Sequence, residues 1–104
     1  MSANVFAPKG RIDAANAAVA EIDVLALLEN AGPSVVLDLS QVDYVSSAGL
    51  RVLLIGAKTA RAKGGKAVIV APKPAVLEVL RMSGFDKIIP VADSREAAQS
   101  VIGG

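Results

Sequence analysis

The sequence contains no histidine, no cysteine and no tryptophan, and aromatic residues make up only 3% of its 104 residues. Without histidine or cysteine, the chain lacks the usual general base, the Ser-His-Asp triad, the cysteine nucleophile and the common zinc or iron–sulfur ligands. We therefore predict that the protein uses no metal or cofactor and is not an enzyme. The absence of cysteine also excludes a disulfide framework, which agrees with a reducing compartment.

The sequence also lacks a large excess of either basic or acidic residues, because 11 Lys and Arg residues oppose 10 Asp and Glu residues. The net charge is +1. A nucleic-acid binder typically carries a basic surplus and aromatic residues that stack on bases, so this composition argues against a nucleic-acid partner. The longest apolar runs, residues 52–55 and 67–71, fall far short of the ~18 residues of a membrane span. The N-terminus does not have the pattern of a signal peptide. We expect a cytoplasmic protein.

The sequence does contain a regular alternation of strand-like apolar runs and helix-like segments. The predicted strands are Asn4–Ala7, Val35–Leu39, Ala67–Ala71 and Ile88–Val91. The predicted helices are Ala14–Asn30, Ser47–Lys63, a third from Pro72 to Gly84, and a last one from Asp93 to about Val101. Near-continuous apolar strands separated by helices are typical of parallel sheets with right-handed crossovers. We predict one α/β domain over residues 1–104, with a mainly parallel mixed β-sheet and helices packed on it.

Helical spacing and capping residues predict finer details of this arrangement. In the first helix, apolar residues recur at helical spacings of four, three and three, at Ala18, Ile22, Leu25 and Leu28. Its acidic residues do not gather on one opposite face, so this helix is predicted more from helix propensity than from an amphipathic pattern. The inward face of the second helix is predicted to comprise Leu50, Leu53, Leu54 and Ala57. Pro90 favours an edge position for the last strand. Asp93, with Glu96 three residues later, predicts a capping box for the last helix.

The chemically informative segment runs from Asp38 to Leu50, where a buried strand leads through a polar turn to a helix. Ser46 or Ser47 can accept hydrogen bonds from the first free N–H groups of that helix. The partial positive charge of a helix N-terminus also favours an anion such as phosphate. Ala48 and Gly49 carry little side-chain bulk, so another backbone could approach closely. From local pattern alone, a serine cap and a packing glycine is the simpler interpretation.

This segment resembles the signature of STAS domains, specifically the anti-sigma factor antagonists, in which an acidic-ended strand and a short turn precede Asp-Ser-Ser/Thr-Gly-Leu. The matching residues are Asp38, Leu39, Val42, Tyr44, Val45, Ser47, Gly49 and Leu50. Residues 10–13 resemble the Gly-x-Leu-Asp opening of the family, and residues 80–89 resemble the end of its third helix and the following strand. The likeness extends from about Gly10 to Val101, and the segment before Gly10 has room for one strand where the family often has two.

The resemblance implies a regulatory protein that binds an anti-sigma factor serine kinase and is switched by phosphorylation of Ser47. The kinase would supply ATP and catalysis, and a serine phosphatase is a further expected partner. The implied partner-binding residues are Asp13, Ser46, Ala48, Gly49, Leu50 and Arg51. This sequence departs from the signature at Ser46, where the family has an acid, and at Ala48, where it has Ser or Thr. Outside the resemblance, Asp13 is simply interpreted as a helix cap.

Two other interpretations remain. The chain could be a STAS subunit of another assembly, such as a lipid transporter or a chemotaxis-type signalling complex, in which Ser47 is never modified. It could also be a hydrolase with Ser47 as nucleophile, but that reading lacks a histidine base and any recognisable lysine-assisted motif. The identity of the partner discriminates between an anti-sigma factor antagonist and a STAS subunit of another assembly.

Overall fold

A computed structural model describes residues 4–103 of the chain. In chain order its elements are β1 Asn4–Phe6, β2 Gly10–Ile12, α1 Ala17–Asn30, β3 Val35–Asp38, β4 Val42–Val45, α2 Ser47–Ala62, β5 Ala67–Val70, α3 Pro74–Met82, α4 Phe85–Ile88, β6 Val91–Ala92 and α5 Arg95–Gly103. The domain predicted over residues 1–104 includes residues 1–3 and 104, which lie outside the described residues.

Every strand pair within residues 4–103 is parallel, and the strands form two sheets. The larger sheet has the order β1-β3-β5-β6, and β2 pairs with β4 in a second, two-stranded sheet. Parallel neighbours need crossover connections, which the intervening helices provide. The prediction of an α/β domain with a mainly parallel sheet is confirmed.

The last strand lies at an edge of the larger sheet, as Pro90 indicated, but it begins only at Val91. The segment predicted as a strand from Ile88 starts instead with the end of a short helix, α4. Gly84 turns the chain with a left-handed φ of 79°, and the Ile89 N–H donates to the carbonyl of Phe85 at 2.8 Å. This helical turn shortens the strand.

The strands β2 and β4 were not predicted, because their sequences contain no apolar run. In β4 only the first and last residues, Val42 and Val45, are buried, whereas Asp43 and Tyr44 are exposed. The segment therefore shows neither the continuous apolar pattern of a covered strand nor a strict alternation. These two strands nevertheless position the start of α2.

Different helices cover the two faces of the larger sheet. On one face Leu37 and Ile69 belong to a core that includes buried residues of α1, α2 and α3. On the other face Val36 and Val68 pack with Ala98 of α5. All four strand side chains have 0% exposure, which explains the continuous apolar runs of β3 and β5.

The helix α1 buries only some of the apolar residues that recur at helical spacing in its sequence. Its fully buried residues are Val24 and Leu28, whereas Ala18 is exposed and Ile22 is 66% exposed. This helix carries apolar residues on both sides, so the helical spacing of its apolar residues does not identify an inward face.

The helix α2 ends within one residue of its predicted boundary. Leu53 has 0% exposure as predicted, and Leu50, Leu54 and Ala57 are half-buried. Gly49 is buried as a packing glycine, and three residues of the helix that were not predicted to be buried are buried as well, namely Val52, Gly56 and Ala60. Among residues 4–103, no helix has both the length and the apolar character that a membrane span requires.

The last helix begins at Arg95 and is capped by a residue other than the predicted one. The Ala97 N–H donates to the Oγ of Ser94 at 3.1 Å. The capping box expected from Asp93 and Glu96 was therefore placed one residue too early. Serine is as good an N-cap as aspartate, so the two neighbours were not separable by preference.

Candidate functional site: a serine pair at the start of α2

The site lies where β2, β4 and the start of α2 meet. Ile12 of β2 pairs with Val45, the last residue of β4. The backbone N–H of Ser46, the next residue, donates to the carbonyl oxygen of Ile12 at 2.9 Å. The chain then enters α2 at Ser47, so the first turn of this helix is fixed against β2.

The two serines have different roles in the structure. Ser46 has an extended backbone, and its Oγ accepts a hydrogen bond from the Gly49 N–H at 3.3 Å, so Ser46 is the N-cap. Ser47 is the first helical residue and is exposed. Within residues 4–103 the Ser47 hydroxyl makes no hydrogen bond. Ser47 is therefore the more accessible of the two serines.

Gly49 faces the interior rather than a partner. A Cβ added to this glycine would lie 2.5 Å from the Ile12 carbonyl oxygen and 2.9 Å from Cγ1 of Val45. The close backbone approach that the small residues suggested is thus made inside the chain at Gly49. The neighbouring Ala48 is half-buried, and Leu50 packs against the core.

An exposed cluster that the sequence analysis missed lies beside this turn. The guanidinium carbon of Arg11 lies 4.5 Å from the centroid of the Tyr44 ring, and Arg11 Nε lies 3.3 Å from Oδ2 of Asp13. The register of the smaller sheet pairs Arg11 with Tyr44, so recognition of β2 and β4 would have predicted the contact. A cation stacked on an aromatic ring orients both side chains at the surface.

Asp13 caps the turn that precedes α1. Its Oδ1 accepts a hydrogen bond from the Ala15 N–H at 3.0 Å, and its own N–H donates to Oδ1 of Asn16 at 2.9 Å. The interpretation of Asp13 as a helix cap was wrong, because the N-cap position of α1 is Asn16 and the Asp13 side chain caps the turn before it. The half-buried Asp13 carboxylate is therefore held in place beside the start of α2.

Arg51 is the basic residue nearest to Ser47 along α2. It is exposed and follows Ser47 by four residues, which places the two side chains on the same face of the helix. The predicted partner-binding residues differ in their exposure. Arg51 is exposed, and Asp13, Ser46 and Ala48 are half-buried. Gly49 is buried, and the half-buried Leu50 packs partly against the core.

Asp38, at the end of β3, serves the fold rather than this surface. Its Oδ2 lies 2.8 Å from Nε of Arg95, and its Oδ1 accepts the Ser40 N–H at 2.9 Å. Burial alone would raise the pKa of Asp38, but the hydrogen bonds from Ser40 and the nearby Arg95 charge outweigh it. The pKa of Asp38 consequently lies below its ordinary value of 3.8. This ion pair connects β3 to the start of α5.

Comparisons with known proteins agree with this geometry. The STAS domain profile matches residues 2–98. A Bordetella bronchiseptica protein assigned by name to the anti-sigma factor antagonists, BtrV, is 48% identical over 90 residues, which cover 86% of this chain and 78% of that protein. A solved structure from Thermotoga maritima, assigned to the same class, has a TM-score of 0.89 at 24% identity and covers 96% of this chain and 86% of its own.

A second solved structure, an anti-sigma factor antagonist from Mycobacterium paratuberculosis, has a TM-score of 0.85 at 26% identity. The match covers 96% of this chain and 85% of that chain. The profile match, the Bordetella relative and both structures thus span most of the described fold, including the start of α2. The chain belongs to the STAS domain family, and the three relatives described above are named as anti-sigma factor antagonists.

Proposed function

We propose that this protein is an anti-sigma factor antagonist that binds an anti-sigma factor with serine kinase activity and is switched by phosphorylation of Ser47. The observation that carries the proposal is the position of the Ser47 hydroxyl, which is exposed at the first residue of α2 and free of hydrogen bonds within residues 4–103. Its neighbour Ser46 already serves as the cap, so modification of Ser47 leaves that cap in place.

A phosphate on Ser47 is compatible with the fold. It would add about −1.5 to −2 charges at neutral pH. Free N–H groups and the helix dipole at the start of α2 favour an anion there. Arg51, one turn later on the same face, adds a nearby cation in the favourable order of anion before cation. We therefore expect the phosphorylated domain to remain folded.

We expect phosphorylation to weaken binding to the partner rather than to unfold the domain. The proposed contact surface comprises Ser46 and Ala48, which flank Ser47 in the chain, Arg51, which follows one turn later, and Asp13. Asp13 directly follows Ile12, which pairs with Val45 at the end of β4. Ala48 offers little bulk there, so a partner that packs closely has no space for a phosphate. Gly49 and Leu50 act as positioning residues, because they set α2 against Ile12 and the core.

In this proposal the partner performs the chemistry. The anti-sigma kinase supplies ATP and transfers the phosphoryl group, and the Ser47 oxygen receives it. This chain is then a substrate and a ligand and has no catalytic role of its own. A serine phosphatase would return Ser47 to the binding form.

The test is to incubate the wild-type protein with its purified anti-sigma kinase and ATP, and to locate the phosphate by mass spectrometry. We expect modification of wild type and of Ser46→Ala, the matched control, and none of Ser47→Ala. A phosphate on another residue contradicts the assignment of Ser47. Tight binding to the kinase without modification contradicts the switch at Ser47, whereas no binding to any anti-sigma factor favours the alternative of a module in a transporter or a chemotaxis-type complex.

A further inference from the structure

The helix α1 presents apolar side chains to solvent on the face opposite its buried one. Val19 and Ile22, one turn apart, are 62% and 66% exposed. Ala18 and Ala26 on the same face are also exposed. A surface helix normally carries polar residues in these positions. An adjacent pair of large apolar side chains with small residues around it is typical of a face that another molecule covers.

The charges on α1 and α2 are of opposite sign and fully segregated. The charged residues of α1 are Glu21, Asp23 and Glu29, all acidic, and those of α2 are Arg51, Lys58 and Arg61, all basic. Among the described residues, none of these six side chains forms an ion pair. The acidic helix with the exposed apolar face therefore lies beside a basic helix without pairing with it.

The two helices form one layer on the same side of the larger sheet. Gly56 of α2 lies so close to α1 that an added Cβ would stand 2.8 Å from Cγ1 of Val24. The crossover from β1 to β3 contains α1, and the crossover from β3 to β5 contains α2. Both strand pairs are parallel members of the larger sheet, so the two helices run in the same direction. On the exposed surface of this layer, α1 presents Asp23 and Glu29 together with its apolar residues, and α2 presents its three basic residues.

We propose that the α1–α2 layer is an interface with a second copy of this chain. A two-fold axis that runs parallel to the helices and between them places α1 of each copy opposite α2 of the other. Both halves of such an interface then oppose acidic to basic residues. A two-fold axis across the helices would instead place α1 on α1, with acids opposite acids, so the charges select the first arrangement.

The apolar residues agree with the same arrangement. The helices α1 and α2 begin at the same end of the layer, and Ile22 lies about as far along α1 as residues 52–55 lie along α2. It would then face the half-buried Ile55 of the other copy.

The size of the interface limits its strength. A layer of two helices about 24 Å long and about 20 Å wide is small for a stable dimer. We therefore expect a weak dimer whose population depends on concentration. This proposal does not depend on the modification of Ser47.

The experiment measures sedimentation velocity of the full chain from about 10 µM to about 1 mM. Wild type should shift from monomer to dimer over this range. Ile22→Ser should raise the dissociation constant about ten-fold or more. The matched control is Met82→Ser on α3, because Met82 is 81% exposed but lies outside the layer, and it should leave the dissociation constant unchanged.

Charge reversal on the two helices identifies the arrangement. The variants Asp23→Lys with Glu29→Lys, and Lys58→Glu with Arg61→Glu, should each remain monomeric alone and form a dimer when mixed in equal amounts. Lys58 and Arg61 lie in the half of α2 away from Ser47, so kinase binding can be measured separately. Far-ultraviolet circular dichroism checks that each variant is folded.

Several results would overturn the proposal. These are a wild type that is monomeric across the range, a dimer that survives Ile22→Ser, an equal loss in Met82→Ser, and reversed variants that fail to associate when mixed. A monomeric wild type that binds a different protein through α1 would also overturn it, because the occupant would then not be a second copy.

Discussion

Gly49 at the start of α2 lies in direct contact with the main-chain carbonyl of Ile12 in β2. A Cβ on Gly49 would stand only 2.5 Å from that oxygen. The same oxygen accepts the Ser46 N–H at 2.9 Å. A single carbonyl group of β2 therefore holds both the cap and the first turn of the helix that carries Ser47.

Gly49→Ala should destabilise the domain by roughly 1–3 kcal/mol, because the new methyl group meets backbone that cannot rotate away. The free energy of unfolding from urea titration measures the effect. Gly103→Ala is the matched control, since nothing lies within 4 Å of its added Cβ, and it should change stability by less than about 0.5 kcal/mol. Equal stability of the two variants would show that the contact at Ile12 relaxes freely.

Ser46→Ala should lower the free energy of unfolding by about 1 kcal/mol, because it removes the side chain that caps α2. Ser47→Ala should change it by less than about 0.5 kcal/mol, because the exposed Ser47 hydroxyl makes no hydrogen bond within the described part of the chain. Thermal or urea unfolding of the two variants side by side measures the difference in their free energies of unfolding. A larger loss in Ser47→Ala would reverse the roles that the structure gives these serines.

Ser47→Asp should weaken binding to the isolated anti-sigma partner by roughly two orders of magnitude, because a negative charge is placed on a closely packed contact surface. Ser47→Ala should bind as wild type does. Isothermal titration calorimetry measures the three affinities. If all three are equal, Ser47 lies outside the interface and the proposed switch fails.

Leu53→Ala should cost roughly 2–5 kcal/mol, a large part of the stability of a small domain, because this side chain has 0% exposure. Leu54→Ala is the natural comparison, since its side chain is only half-buried, and should cost clearly less. Unfolding midpoints in urea report the difference. Similar losses at both positions would mean that α2 is rotated from its observed orientation.

Acid should weaken the domain partly through Asp38. Its folded-state pKa is depressed, so its contribution to stability is present above about pH 3.8 and is lost as the pH falls through the lower folded value. Asp38→Asn should therefore show a smaller loss of unfolding free energy than wild type between about pH 5 and about pH 2. Asp43→Asn, in the exposed pair with Lys73, serves as control and should follow wild type. An Asp38→Asn variant as acid-sensitive as wild type would exclude this ion pair as the cause.

The sequence predicted the elements whose local signals agree with one another. The strands β3 and β5 are buried on both faces, so their composition alone identified them. The helix α2 has a serine cap at its start and glycines just after its end, so both boundaries were predicted. The outward face of α1 was not predictable, because apolar side chains such as Ile22 lie on its solvent side.

The candidate site was predicted only in part. The motif identified Ser47 and its neighbours because they are contiguous in the chain. The contact between Arg11 and Tyr44 depends instead on the register of two short strands that are far apart in sequence. Gly49 was recognised as a position of close approach, but the identity of the approaching backbone, Ile12, required the three-dimensional fold.

The wholly parallel pairing of the described strands has a consequence for how this chain folds. The pairs join residues that are distant in sequence, such as Asn4 with Val35, Gly10 with Val42 and Val35 with Ala67. A hairpin closes locally within microseconds, but each of these pairings must first bring a long intervening segment together. Helical turns should consequently form early and strand pairing late. The domain should refold more slowly than a helical bundle of the same length.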